Sequence, residues 1–163
     1  MEKIKGVNMN VYQWLDAYAE THQNPLNKRI HWICVPLIMI SLFGILSQIK
    51  ISFINDEIPI FLYLLIVASI LFYFSLSFSL TIGMIFVSSM FLYIVTSINS
   101  MFNNSLNQLL IIYLVIFFIS WVGQFIGHKI EGKKPSFFDD IKFLLIGPAW
   151  LLSFIYNKSG IKY

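Results

Sequence analysis

Three histidines, His22, His31 and His128, are the only imidazoles in this chain. Neutral imidazole is a ligand for iron, zinc or copper, and three such ligands leave coordination positions open for a substrate or for oxygen. Each also has polar neighbours that could orient its second ring nitrogen. Asn24, Asn27 and His31 stack at i, i+3 and i+7, and Trp121, Gln124, His128 and Glu131 repeat at i, i+3, i+7 and i+10. Other chemistries lack their residues. The single Cys34 permits no internal disulfide and reads as a small apolar residue of a helix. No H-E-x-x-H, Walker A, G-x-S-x-G or glycine-rich dinucleotide loop occurs.

For histidines so far apart to share a site, the segments between them must return the chain to one place. Those segments are membrane-like. The chain is 58% hydrophobic and only 12% charged, against about 25% charged residues in soluble domains. Its mean hydropathy is +0.76. From Ile58 to His128 there is no Asp, Glu, Lys or Arg. As one helix that stretch would run about 105 Å at ~1.5 Å per residue, so it must fold back within a bilayer core of ~30 Å. Ser75, Ser77 and Ser79 mark one break, and the Asn-rich run at 99–107 a clearer one. The reading is an all-α membrane helix bundle, one domain over 1–163, with four spans near 30–49, 58–76, 79–98 and 107–127. The apolar segment 141–156 is shorter than a span, contains Lys142 and is interrupted by Gly147-Pro148, so an interfacial or re-entrant helix is expected there.

Two polar ends bracket these spans. Val11, Leu15, Tyr18, Ala19 and His22 form the stripe of an amphipathic helix, which could equally be a surface helix on the membrane with His22 at its boundary. Asn24 is a natural N-cap and Pro25 a natural first residue for the next helix. The start of the chain has two lysines but no apolar region with a cleavage site, so it does not read as a secretory signal. Four of the eleven Lys and Arg precede the first span, one lies in the 50–57 loop and six follow the fourth span. The positive-inside rule then puts both termini, and with them all three histidines, on the cytoplasmic side. A bacterial inner membrane is favoured, with the endoplasmic reticulum offering the same geometry. The net charge of +3 is modest, and no nucleic-acid partner is expected.

The segments HQNPLNKRIHWICVP (22–36) and SWVGQFIGHKIEGKKPSFFDDIKFLLIGP (120–148) resemble the paired signatures of the Mpo1-like family. One is a histidine, an Asn-Pro, an Asn and a second histidine before a Pro-containing helix; the other is Gln-x-x-Gly-His, an acidic residue and a proline. The resemblance implies an iron(II)-dependent dioxygenase of fatty-acid α-oxidation, which uses molecular oxygen to shorten 2-hydroxy fatty acids by one carbon. It implies His22, His31 and His128 as the Fe(II) ligands and catalytic residues, with Asn24, Asn27, Gln124 and Glu131 in supporting or substrate-binding roles. Lys133, Lys134 or Arg29 could attract the carboxylate, and the acyl tail would stay among helices or membrane lipids. Ser136 departs from the family pattern, in which alanine commonly follows the proline, and the segment after Pro148 lacks a glutamate carried by some relatives. A non-enzymatic lipid-binding or accessory protein is the competing reading, in which the polar cluster merely satisfies helix ends. A di-iron hydroxylase needs more ligands than three histidines supply, and a bis-histidine haem carrier would place its pair deeper in the bundle.

Overall fold

A computed structural model describes residues 9–53, 56–103, 105–138 and 141–163. Lys3 and Lys5, two of the basic residues on which the expected orientation rests, lie outside the described residues. The order is α1 (Val11–Ala19), α2 (Pro25–Gln48), β1 (Ile51–Phe53), β2 (Asp56–Ile58), α3 (Ile60–Leu76), α4 (Phe78–Met101), α5 (Leu106–Glu131), a 3-10 turn (Ser136–Phe138) and α6 (Phe143–Ser159). The protein is an all-α membrane bundle. Three helices, α2, α4 and α5, are long and apolar enough to cross a membrane. The 17 residues of α3 make it shorter, about 25 Å at ~1.5 Å per residue. Large apolar side chains such as Leu64, Leu71, Phe86, Ile111 and Phe118 are exposed on these helices, as lipid contact requires.

Local chemistry sets the boundaries. Asn24 caps α2, its Oδ1 accepting from Leu26 N at 2.9 Å, and Pro25 opens the helix, where its missing N–H costs nothing. The α2 helix therefore begins a turn and a half before the apolar run. Ser77 ends α3 and caps α4, the break anticipated among the serines. The polar 50–57 loop contains a two-stranded antiparallel hairpin, with Ile51 opposite Ile58.

The helices α2 and α5 form the closest seam, and glycine makes it close. A Cβ on Gly44 would lie 2.3 Å from the Tyr113 ring, and one on Gly127 would lie 2.4 Å from Asn27 Oδ1. Small residues are what let membrane helices approach in this way. At the far end of the seam, Tyr113 Oη donates to Asn99 Oδ1 at 2.8 Å within a polar cluster that includes Ser47 and Gln48.

The sequence reading puts an interruption at Gly147-Pro148, whereas α6 is one helix through both residues. Its packing explains why it holds. Ile146 to Ser153 are all buried. The apolar face of α1, formed by Val11, Trp14, Leu15 and Tyr18, shares one core with Ile146, Ala149 and Trp150. Tyr73 Oη of α3 donates to Leu145 O at 2.7 Å, and Tyr156 Oη donates to Ser79 O of α4 at 2.8 Å. The stripe on α1 thus meets a protein helix.

Candidate metal centre

His22 follows the last turn of α1, His31 lies on the second turn of α2, and His128 lies one turn from the end of α5. The fold brings them together: one ring nitrogen of each lies within 4.8 Å of the others, and the three rings are buried. Ring centroids are 4.2 Å apart for His22 and His31, 4.9 Å for His22 and His128, and 5.0 Å for His31 and His128.

The backbone fixes two of the rings. Nδ1 of His22 lies 2.6 Å from Tyr18 O, and Nδ1 of His31 lies 3.0 Å from Asn27 O, each four residues back. A carbonyl oxygen only accepts, so both Nδ1 atoms carry hydrogen and both Nε2 atoms present lone pairs. Those two Nε2 atoms face each other at 2.9 Å. Two lone pairs at that distance repel unless a proton or a cation stands between them. A shared proton would create an imidazolium, but burial, together with the nearby His31 and His128, pushes His22 down to about 3. A metal cation answers both demands. Nδ1 of His128 is buried without a hydrogen-bond partner, which also suits a metal-ligating ring. The donor set therefore fits a divalent transition metal, and backbone carbonyls as second-nitrogen partners are typical of such histidines.

Glu131 sets the frame around the triad. Its Oε1 accepts from Gln23 N at 2.8 Å, and its Oε2 accepts from Asn24 N at 2.9 Å and Asn27 Nδ2 at 3.0 Å. Asn27, fully buried, also donates to Thr21 O at 3.2 Å. Asn24 works through its cap and its backbone. Gln124 is buried beside His31, with its Nε2 unpartnered.

Four nearby residues were not singled out as site residues in the sequence. Tyr18 stacks on His22 at 4.1 Å, and Trp150 lies 5.3 Å from the same ring. Thr21 Oγ1 lies 3.1 Å from His22 Nδ1 and 2.6 Å from Ser136 Oγ. Tyr18 had a signal, one helical turn before His22 on the amphipathic stripe. Ser136 had one too, as the departure from the family pattern. Trp150, one of many apolar residues in the segment 141–156, had none.

Residues 9–159 match the family described as 2-hydroxy-palmitic acid dioxygenase Mpo1-like. The chain belongs to this family. No curated protein and no solved structure gives a significant match. The Mpo1-like match takes in all three histidines as well as Asn27, Gln124 and Glu131, so the residues that meet in space are those that carried the resemblance.

His128 also lines two cavities. One, of about 70 Å³, is walled mainly by apolar residues of α2, α5 and α6, among them Ile38, Met39, Trp121 and Leu144, with Gln124 and Ser136 in its wall. The other, of about 380 Å³, is an open groove lined by Phe125, Lys129, Gly132, Lys133, Lys134 and Pro135.

Proposed function

We propose that this Mpo1-like protein is an iron(II)-dependent dioxygenase that shortens 2-hydroxy fatty acids by one carbon, with the triad facing the cytoplasm, in a bacterial inner membrane or its topological equivalent. The observation that carries the reading is the facing pair of Nε2 lone pairs on His22 and His31, buried beside His128 in a family named for this activity. His22, His31 and His128 would hold the iron. Bound there, iron would supply the redox chemistry that activates oxygen, and three protein ligands would leave coordination positions open.

The protein's own residues supply the rest. The carbonyls of Tyr18 and Asn27 keep Nδ1–H bonds occupied and Nε2 atoms ready for metal. Tyr18, Trp150 and the buried face of α6 exclude water. The Gln124 Nε2, without a partner, is a donor available to a substrate oxygen. The overall change balances without an outside reductant: the bond between C1 and C2 breaks, and the 2-hydroxy acid and one O₂ give the shortened acid, CO₂ and water.

Metal analysis with product detection tests the reading. Purified protein should carry stoichiometric iron and, with oxygen, convert a 2-hydroxy fatty acid to the acid one carbon shorter. His22→Ala, His31→Ala and His128→Ala should each stay inserted yet lose turnover, while Cys34→Ser should keep it. Zinc should not restore activity to iron-depleted protein, because it has no redox chemistry. Absence of iron, or turnover by a variant lacking all three histidines, would leave a non-enzymatic lipid-binding protein as the better account.

A further inference from the structure

His128 stands in the wall of two cavities, one lined mainly by aliphatic and aromatic side chains and the other flanked by three lysines. Trp121 and Gln124, on the apolar chamber, precede His128 by two turns and one turn. Lys129, Lys133 and Lys134, on the open groove, follow it. The chamber thus reaches from His128 toward the middle of α5, closed on its other side by Ser136, Phe137 and the start of α6, and the groove reaches toward the helix end with Phe125 on its near rim.

We propose that the acid substrate lies along α5 with its carboxylate over Lys129 and Lys134 and its first methylenes in the apolar chamber, so that C2 passes beside His128. This rests on the reading of the triad as the reaction centre and assigns head and tail to its two sides. A carboxylate is costly to bury in the chamber but is attracted at the groove. Each methylene moved from water into an apolar wall strengthens binding about fourfold. Lys133 adds a positioned charge, since its Nζ donates to Glu20 O at 2.7 Å. The chamber, of about 70 Å³, has room for only the first part of an acyl chain. It encloses the first few carbons, and the remaining chain passes among helices and lipid, so binding selects the head group and is nearly blind to chain length.

Equilibrium binding to the metal-free protein in neutral detergent tests this without turnover. Radiolabelled 2-hydroxyhexadecanoate is compared with 1,2-hexadecanediol, which keeps the hydroxyl and the chain but not the charge. The double variant Lys129→Gln, Lys134→Gln should weaken the acid about five- to tenfold and leave the diol within twofold. Leu144→Trp, which fills the chamber from α6, should weaken both, and Met39→Trp does the same from α2 should the first variant fail to fold. The 2-hydroxy acids of fourteen and twenty carbons should differ little beyond their detergent partitioning. Equal effects of the lysine variant on acid and diol, or binding unaffected by a filled chamber, overturn the assignment. So does displacement of the acid by phosphatidylglycerol in wild type but not in the lysine variant, since the groove would then be a phospholipid headgroup site. Because the assay contains no iron, a protein that shows the acid–diol split but no oxygen-dependent turnover defeats the dioxygenase reading alone.

Discussion

Glu131 and Asn27 are joined across the α2–α5 seam by a 3.0 Å hydrogen bond from Asn27 Nδ2 to Glu131 Oε2. The same carboxylate holds the backbone N–H groups of Gln23 and Asn24. One side chain, a turn beyond His128, therefore fixes both the loop after His22 and the helical turn before His31. It positions two of the histidines without a hydrogen bond to either.

Glu131→Gln should loosen that frame, because an amide group turns an NH₂ toward the N–H donors that Glu131 now accepts. Metal affinity, measured by competition with a chelator, should fall by ~10–100-fold, the range of losses when a group supporting a ligand is removed. Unchanged affinity would reduce Glu131 to a simple helix-end contact.

Gly127→Ala places a methyl group where Asn27 Oδ1 now lies, 2.4 Å from the ideal Cβ position. The seam must open or Asn27 must turn away from Glu131. A stability loss of about 1–3 kcal/mol is expected from such overpacking, with a parallel loss of bound metal. Gly132→Ala is the control: it meets nothing within 4 Å, and its positive φ of 72° should bring a stability cost with the metal retained. Equal metal loss in both variants would contradict the packing argument.

The metal-free protein should lose stability as pH falls below the ordinary histidine range. Folded His22 is held down to about 3 by burial and its histidine neighbours, whereas the unfolded residue protonates near 6.5. Between these values the unfolded state binds more protons, so stability is greatest above ~6.5 and declines toward 3, by at most about 1.4 kcal/mol per pH unit from this group. Thermal melts from pH 7.5 to 5 should show that slope, and it should flatten in His22→Gln. Identical slopes would remove His22 from the effect.

Orientation is checked by cysteine labelling in a Cys34→Ser background. Met9→Cys and Lys158→Cys should react with a membrane-impermeant reagent from the cytoplasmic side, and Asn103→Cys, between α4 and α5, from the opposite side. Labelling of residues 9 and 103 from one side would refute the assigned topology.

Much of this architecture is legible one segment at a time. Asn24-Pro25 declares a helix start and Ser77 a helix break, because capping is local chemistry. The chargeless middle declares membrane helices, because the bilayer imposes one demand on every residue. The convergence of His22, His31 and His128 is expected from a count of four spans, whereas three helices are long and apolar enough to cross and α3, at 17 residues, is shorter, so packing rather than the count brings the rings together. What covers the site is a tertiary matter. The stripe Val11, Leu15, Tyr18 fits a lipid surface or a helix equally well, and only packing shows that Ile146, Ala149 and Trp150 take that place. Gly147-Pro148 reads as an interruption because propensity is local, yet the enclosed α6 stays helical through it. Thr21 and Ser136 meet through a loop whose path no periodicity encodes.

The contact between α1 and α6 has a bearing on how the protein matures. Of the six helices, α1 leaves the ribosome first and α6 last, and Tyr18 and Trp150 flank His22 from these two elements. His22 is therefore enclosed from both ends of the described chain, and its cover is complete only once α6, the last of these helices to be made, has docked. The buried site is thus finished only at the end of folding, and a chain lacking α6 would leave the His22 ring uncovered on its Trp150 side.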